Sequence, residues 1–257
     1  MKVVLAGAGN VANHLGPALQ KSGHDILQVI GRSESLVKSL AKKLRTSHGC
    51  TFNDIRTDAD AIILMVRDDS VKEYARLIPS GEFTIMHTSG AVSAGVFENK
   101  FANYGVLYPV QTFSKTEKVK MNDVPFCIEG SNKTSLNKIR KLISPVSEKI
   151  YQINEDDRKF IHISAVFASN FSNHMYTIAD TLLKSRKINF EILKPLISQT
   201  AEKIKHISPK KAQTGPASRG DSGTVSNHLK WLKGQDEFRE IYALLSKSIQ
   251  NLNGPVL

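Results

Sequence analysis

Hydrophobic and polar positions follow two regimes along the chain. Up to about residue 153, short apolar runs alternate with amphipathic stretches. The runs Lys2–Ala6, Asp25–Gly31, Ala61–Val66, Phe83–His87, Tyr104–Tyr108, Pro125–Glu129 and Ser147–Ile153 read as strands. "AIILMV" at 61–66 is continuously apolar, as expected of a parallel strand covered on both faces. Between the runs, Asn10–Ser22, Glu34–Leu44 and Lys133–Ile143 carry helical spacing. This βαβ alternation predicts a doubly wound, Rossmann-like parallel sheet. Beyond Asn154 the strand signals stop. Phe160–Leu183, Phe190–Ile207, Thr224–Leu232 and Asp236–Asn251 suit helices, and "SPKKAQTGPASRGDSG" reads as a loop between them. The expectation is an α/β domain over 1–153 and an all-α domain over 154–257.

Composition narrows the class. A chain of 257 residues with 40% hydrophobic side chains can build a real core. No apolar run approaches the roughly 18 residues of a membrane helix. The N-terminal "MKVVLAGAGN" is interrupted by glycines and Asn10, so a buried strand explains it better than a signal peptide, and a cytoplasmic protein is expected. The two cysteines, Cys50 and Cys127, have no metal-ligand spacing, so no metal site is implied. The formal charge is +11, but residues 1–152 hold 20 basic and 14 acidic side chains and residues 153–257 hold 15 and 10. An excess spread this evenly suits a small anionic ligand better than a nucleic acid.

The strongest motif is Gly7-Ala8-Gly9-Asn10-Val11-Ala12, which follows a strand and opens a helix. Gly7 allows a tight turn, Gly9 lets backbone approach a pyrophosphate, and Ala12 packs helix on strand. The first helical N–H groups, around Asn10 and Val11, then face the phosphates. After the second strand, NAD-binding versions place an acid against the ribose hydroxyls. This chain has Arg32 and Ser33 there. A guanidinium and a hydroxyl grip a 2′-phosphate that an acid would repel, so the cofactor is expected to be NADP.

Further candidates sit at strand ends, where open α/β sheets bind ligands. His87 either moves a proton or is a hydrogen-bonded strand histidine. Ser89 is the accompanying catalytic candidate, and Thr88 a substrate contact. Gln111 follows the strand ending near Pro109 and either binds a carbonyl or carboxylate or stabilises a turn. Asp68 and Asp69 read as caps of a following helix. In the helical half, Ile163, Phe167, Phe171, Met175, Ile178 and Leu182 form an apolar stripe. The opposite face carries His162, Ser169, Asn170, Asn173, Thr177 and Asp180, with Asn170 and Asn173 as catalytic candidates. It is uncharged enough to suggest contact with a ligand, another domain or a partner subunit. The Gly/Pro loop holds Thr214 and Arg219, suited to a substrate carboxylate or phosphate, and Asp221, suited to a cap.

The segments "MKVVLAGAGNVA", "VIGRS", "ILMVRDDSV", "HTSGAVSAGVF", "YPVQTF", "ASNFSNHMY" and "TGPASRGDSGTVSNHL" together resemble a family of NADP oxidoreductases. That family is similar to pyrroline-5-carboxylate reductase, the deazaflavin-dependent NADP oxidoreductases and the β-hydroxyacid dehydrogenases. The resemblance implies a helical C-terminal domain of the 6-phosphogluconate dehydrogenase type and hydride transfer at the cleft between domains. It also implies a homodimer through the C-terminal helices. It places backbone around Val66 and Arg67 against the cofactor ribose and matches Asn173 to a catalytic asparagine of the hydroxyacid enzymes. Their lysine has no counterpart: none lies between Lys159 and Lys184. The expected function is NADPH-dependent reduction of a small, anionic carbonyl or imine. The alternative is an NADP-binding sensor or scaffold without catalysis.

Overall fold

The computed structural model describes residues 1–114 and 116–253. They divide into two compact units, residues 1–170 and a second from Phe171 onward. In the first unit the order is β1 (Lys2–Ala6), α1 (Asn10–Lys21), β2 (Asp25–Ile30), α2 (Glu34–Leu44), β3 (Ser47–Gly49), β4 (Ala61–Leu64) and α3 (Val71–Leu77). Then follow β5 (Thr84–His87), β6 (Tyr104–Pro109), β7 (Phe126–Gly130), α4 (Lys133–Ile143), β8 (Ile150–Gln152) and α5 (Glu155–Ala165), with a π-helical segment over Val166–Phe171. The last strand ends at Gln152, near the expected change of regime, whereas the compact units part at Asn170.

The eight strands run in the order β3-β2-β1-β4-β5-β6-β7-β8. The chain reverses its direction of travel across the sheet between β1 and β4, which opens a crevice at their carboxyl ends. All pairings are parallel except β6 with β7, so the sheet is mostly rather than wholly parallel. Period-two alternation feeds two cores. Val3 and Leu5 of β1 and Ala61 and Ile63 of β4 pack with Leu15, Leu19, Leu40 and Leu142 on one face. Val4, Ala6, Ile62 and Leu64 pack with Tyr74, Ile78, Phe97 and Phe101 on the other. That two-sided burial is why β4 reads as an unbroken apolar run.

One strand was not legible: β3, Ser-His-Gly, lacks β-branched residues and is a three-residue edge strand held by pairing to β2. The helix expected after Asp68 and Asp69 is α3, only seven residues long and too short for a periodic signal of its own.

The second unit contains α6 (Ser172–Lys184), α7 (Lys194–Lys203), α8 (Pro209–Ala212), α9 (Ser222–Trp231) and α10 (Asp236–Asn253). The expected loop therefore contains the one-turn helix α8. Asp221 caps α9: Oδ1 accepts from Thr224 N (2.9 Å) and Oδ2 from Thr224 Oγ1 (2.7 Å). His228 of α9 hydrogen-bonds the Tyr242 hydroxyl of α10 at 2.8 Å. The single long helix expected over 160–183 is resolved into α5, the π-helical segment and α6. A π turn inserts a residue, so the 100° projection of the apolar stripe does not carry through it. Ile163, Phe167 and Phe171 of that stripe are exposed.

Candidate active site

The crevice after β1 is a cleft of about 430 Å³. Gly7, Gly9, Asn10, Val11, Arg32, Ser33, Val66 and Arg67 all line it, so the structure brings the eight expected cofactor residues together. Gly7 has φ +130°, and a Cβ there would lie 2.1 Å from the Met65 carbonyl oxygen. Only glycine fits. Gly9 is different: its added Cβ meets nothing within 4 Å. The space above it is open to a ligand. Gly9 is also the N-cap of α1, with no side-chain cap and no acid in the first turn. The first N–H groups of a 12-residue helix are thus left for an anion. Asn13, which sequence reasoning missed, fixes the turn by donating from Nδ2 to the carbonyls of Ala8 (3.0 Å) and Gly9 (2.9 Å). Asn10 donates to the Phe113 carbonyl at 2.9 Å.

At the far end of this cleft the Arg32 guanidinium lies 5.1 Å from the centre of the Tyr74 ring. Tyr74 in turn stacks on Phe52, with centroids 4.3 Å apart and planes 5° apart. Glu34, the acid nearest in sequence, is held by Lys38 at 2.6 Å. That pair lowers the Glu34 pKa through its hydrogen bond and charge, and leaves Arg32 without an acid partner among the described residues. Uncapped helix, open glycine and free guanidinium together fit a pyrophosphate and a 2′-phosphate. Arg67 has a partner, Asp69 at 3.0 Å, and Asp69 also accepts from Ser70 Oγ. Neither Asp68 nor Asp69 caps a helix: the 3-10 turn at 68–70 and α3 both lack side-chain caps. The expected capping role is therefore corrected: Asp69 forms an ion pair with Arg67 instead.

His87 does not fit the part of a solvent-fed proton carrier. It is fully buried and lines neither this cleft nor the second one described below. Ser89 N donates to Nδ1 (3.2 Å), so Nε2 carries the proton and faces the Ser93 carbonyl at 3.4 Å. Burial, and then the charge of Arg158, push its pKa down to about 4. Ser89 is likewise committed: its hydroxyl accepts from the backbone of Ala91 and Val92. Thr88 lines the cofactor cleft.

The order behind this loop comes from Arg158 of α5, a residue absent from the sequence reading. Its side chain is 1% exposed. Nε and Nη2 face Glu129 Oε2, both at 3.3 Å, and Nη1 donates to the carbonyls of Ser89 (3.3 Å) and Gly90 (2.9 Å).

A second cleft, about 990 Å³, lies beyond β6. Gln111, Thr112, Ser169 and Asn170 line it, together with Tyr108 and His162. Gln111 spends its carboxamide oxygen on Thr112 N (2.8 Å), and Thr112 Oγ1 meets Ser169 Oγ at 2.9 Å. The π-helical segment supplies Ser169 and Asn170; such segments recur at functional sites. The Tyr108 hydroxyl lies 3.2 Å from His162 Nδ1. Asn173, Thr214 and Arg219 belong to the second unit, and all three are exposed.

The nucleotide cleft at a 3-2-1-4-5-6 crevice defines the class, a Rossmann-type oxidoreductase. A family model described as "NADP oxidoreductase coenzyme F420-dependent" matches residues 2–86, and one described as "Domain of unknown function (DUF2520)" matches residues 124–249. A "putative NADP oxidoreductase" from Bacteroides fragilis is 35% identical, with a TM-score of 0.90 over 97% of this chain and 98% of that one. A protein from Thermotoga maritima is 20% identical, with a TM-score of 0.75 over 98% of each chain. An imine reductase from Myxococcus stipitatus, solved with NADP+, shares the fold at 13% identity, with a TM-score of 0.67 over 98% of this chain and 93% of that one. No curated protein matches. The chain belongs to the NADP oxidoreductase family of the Bacteroides fragilis protein. No helix among the described residues is long and apolar enough to cross a membrane.

Proposed function

We propose that this NADP oxidoreductase reduces a small carbonyl or imine substrate. The observation that carries the reading is Arg32, free of any acid partner among the described residues, in the same cleft as the uncapped N-terminus of α1. Gly9 and the N–H groups at the start of α1 would hold the pyrophosphate, Arg32 and Ser33 the 2′-phosphate, and Val66 and Thr88 the portion that follows. Bound NADPH supplies a hydride; the protein supplies orientation and the proton. The anionic character assigned to the substrate rests on Arg219 and Thr214 of the second unit and on the net charge of +11. The second cleft has no lysine or arginine among its lining residues. The deciding test is titration with NADPH and NADH, followed by turnover of a panel of cyclic imines and 2-oxo acids. Selective NADPH binding with turnover supports the reading; preference for NADH removes it.

A non-catalytic NADP-binding sensor is the second reading. It is favoured by the absence of a lysine between Lys159 and Lys184, and would be established by tight NADPH binding without turnover across the panel. The same overall reading includes a homodimer. Ile192, Leu196, Trp231, Leu244 and Leu252 of the second unit are each at least 63% exposed, apolar side chains that a second copy would cover. Light scattering decides it. Both cysteines are free thiols, which suits a reducing, cytoplasmic location.

A further inference from the structure

The dinucleotide cleft runs from the end of β2, at Arg32, across β1 to the ends of β4 and β5, at Val66 and Thr88. The next strand in the sheet is β6, and Tyr108 lies near its carboxyl end. Tyr108 therefore lies one strand beyond the Val66–Thr88 end of that cleft. Thr88 lines the cofactor cleft, and Gly90, two residues on, lies under the Tyr108–His162 pair.

That pair is built closely. The rings meet edge-on, with centroids 5.8 Å apart and planes at 72°. A Cβ on Gly90 would lie 2.6 Å from His162 Nδ1 and 2.8 Å from Tyr108 Cζ, so the glycine makes room for both rings. Tyr108 is 8% exposed, whereas His162 is only half-buried and can exchange protons with water. The remaining titratable lining residue, Asp157, is exposed and accepts a hydrogen bond from Asn154 at the start of α5. His87 is sealed away. Tyr108 and His162 are thus held against each other, and both line the cleft.

We propose that Tyr108 is the catalytic proton donor of the reductase and that His162 is its positioning and relay residue. The proposal rests on the reductase reading above. When bound, NADPH would supply the hydride (a proton and two electrons) that reduces the carbon of the substrate C=X bond. The Tyr108 O–H bond breaks and its proton forms the X–H bond. Tyr108 Oη then takes a proton from Nδ1 of the protonated His162 ring, leaving a neutral imidazole that water reprotonates. The net change is one hydride and one solvent proton added across C=X. Burial, then Cys127 on β7 and Asp68 after β4, raise the Tyr108 pKa, which keeps the phenol protonated, and Arg158 opposes them.

The test uses the full-length protein, Tyr108→Phe and His162→Gln, with NADPH and 2-methyl-1-pyrroline or pyruvate as probes. NADPH affinity should be equal in all three. In Tyr108→Phe, kcat should fall on the order of 100-fold with KM little changed, as for loss of one general acid. His162→Gln should retain part of the rate but lose the limb of the pH profile that reports the histidine. In the protein without cofactor, the 13Cζ resonance of Tyr108 should show a pH-dependent step that vanishes in His162→Gln. A Tyr108→Phe protein with unchanged kcat and pH profile overturns the proposal and leaves the reductase reading standing. So does a Tyr108 resonance blind to His162. Failure of the unaltered protein to bind NADPH, or to reduce either probe, removes the reductase reading and this proposal with it.

Discussion

Arg32 stands 5.1 Å over the ring of Tyr74, which fixes the guanidinium without neutralising it. A carboxylate partner would have cancelled the charge that a 2′-phosphate needs. The aromatic face leaves the N–H donors free. Arg32→Ala should weaken NADPH binding by about 10- to 100-fold, the equivalent of one hydrogen-bonded charge pair, and leave NADH affinity where it was. Calorimetric titration with both nucleotides checks this. Equal losses for the two would show that Arg32 does not read the 2′-position. The Tyr74 hydroxyl is buried without a hydrogen-bond partner, so Tyr74→Phe should be neutral or slightly stabilising and should preserve NADPH selectivity.

Gly7 and Gly9 should separate folding from binding. Gly7→Ala places a methyl 2.1 Å from a carbonyl oxygen at a φ of +130°, so it should lower the melting temperature and abolish NADPH binding together. Gly9→Ala places its methyl in open space at an ordinary φ of −76°. Its melting temperature should stay close to that of the unaltered protein, while NADPH affinity falls because the methyl occupies the approach to the pyrophosphate. A Gly9→Ala protein that binds NADPH normally would place the phosphates elsewhere.

These glycines were legible in the sequence because their chemistry is local: strand, turn and helix start lie within a dozen residues. Arg32 was legible for the same reason, at a fixed distance from the motif. Tyr74 was not. It reaches Arg32 from 42 positions away, on a helix too short to show a period. Arg158 is harder still, because a charged residue in the first turns of a helix reads as solvated until the fold buries it. Tyr108 lay within a stretch already read as strand and loop. Only the strand order, and a histidine 54 residues on, make it conspicuous. Position at a strand end pointed to His87, but the direction of its side chain, into the interior, is a property of the folded sheet.

His87 should make stability depend on pH. Its pKa is about 4 in the folded protein against 6.5 when solvated. Between those values the unfolded chain binds the extra proton, so folding is weakened as pH falls through this window and unaffected above it. The full difference is on the order of 3 kcal/mol. His87→Gln has no such proton. It should be less stable than the unaltered protein at neutral pH through lost packing. Denaturant midpoints should show that gap shrinking or reversing toward about pH 4. A gap that is constant with pH would mean that His87 titrates normally.

Arg158 tests how this histidine, the loop and the proposed acid are tied together. Its guanidinium binds Glu129 and the carbonyls of Ser89 and Gly90 from a fully buried position. Arg158→Met leaves two carbonyls and a partly buried carboxylate without their donor. Breaking a buried pair in this way costs about 3–5 kcal/mol, roughly a 10 °C fall in melting temperature for a domain of this size. Adding Glu129→Gln removes the stranded charge and should recover part of the loss. The electrostatic consequence is separable from the mechanical one. Arg158 is the second cause, after burial, of the low His87 pKa. Its removal should therefore move the His87 titration upward, toward neutrality, in an NMR pH series on the folded variant. The Tyr108 phenol, which Arg158 acidifies, should become a weaker acid at the same time. A variant that loses stability with both titrations unmoved would make Arg158 a packing residue alone. Upward shifts in both would establish that one buried cation sets the proton affinities on both sides of the Ser89–Gly90 turn.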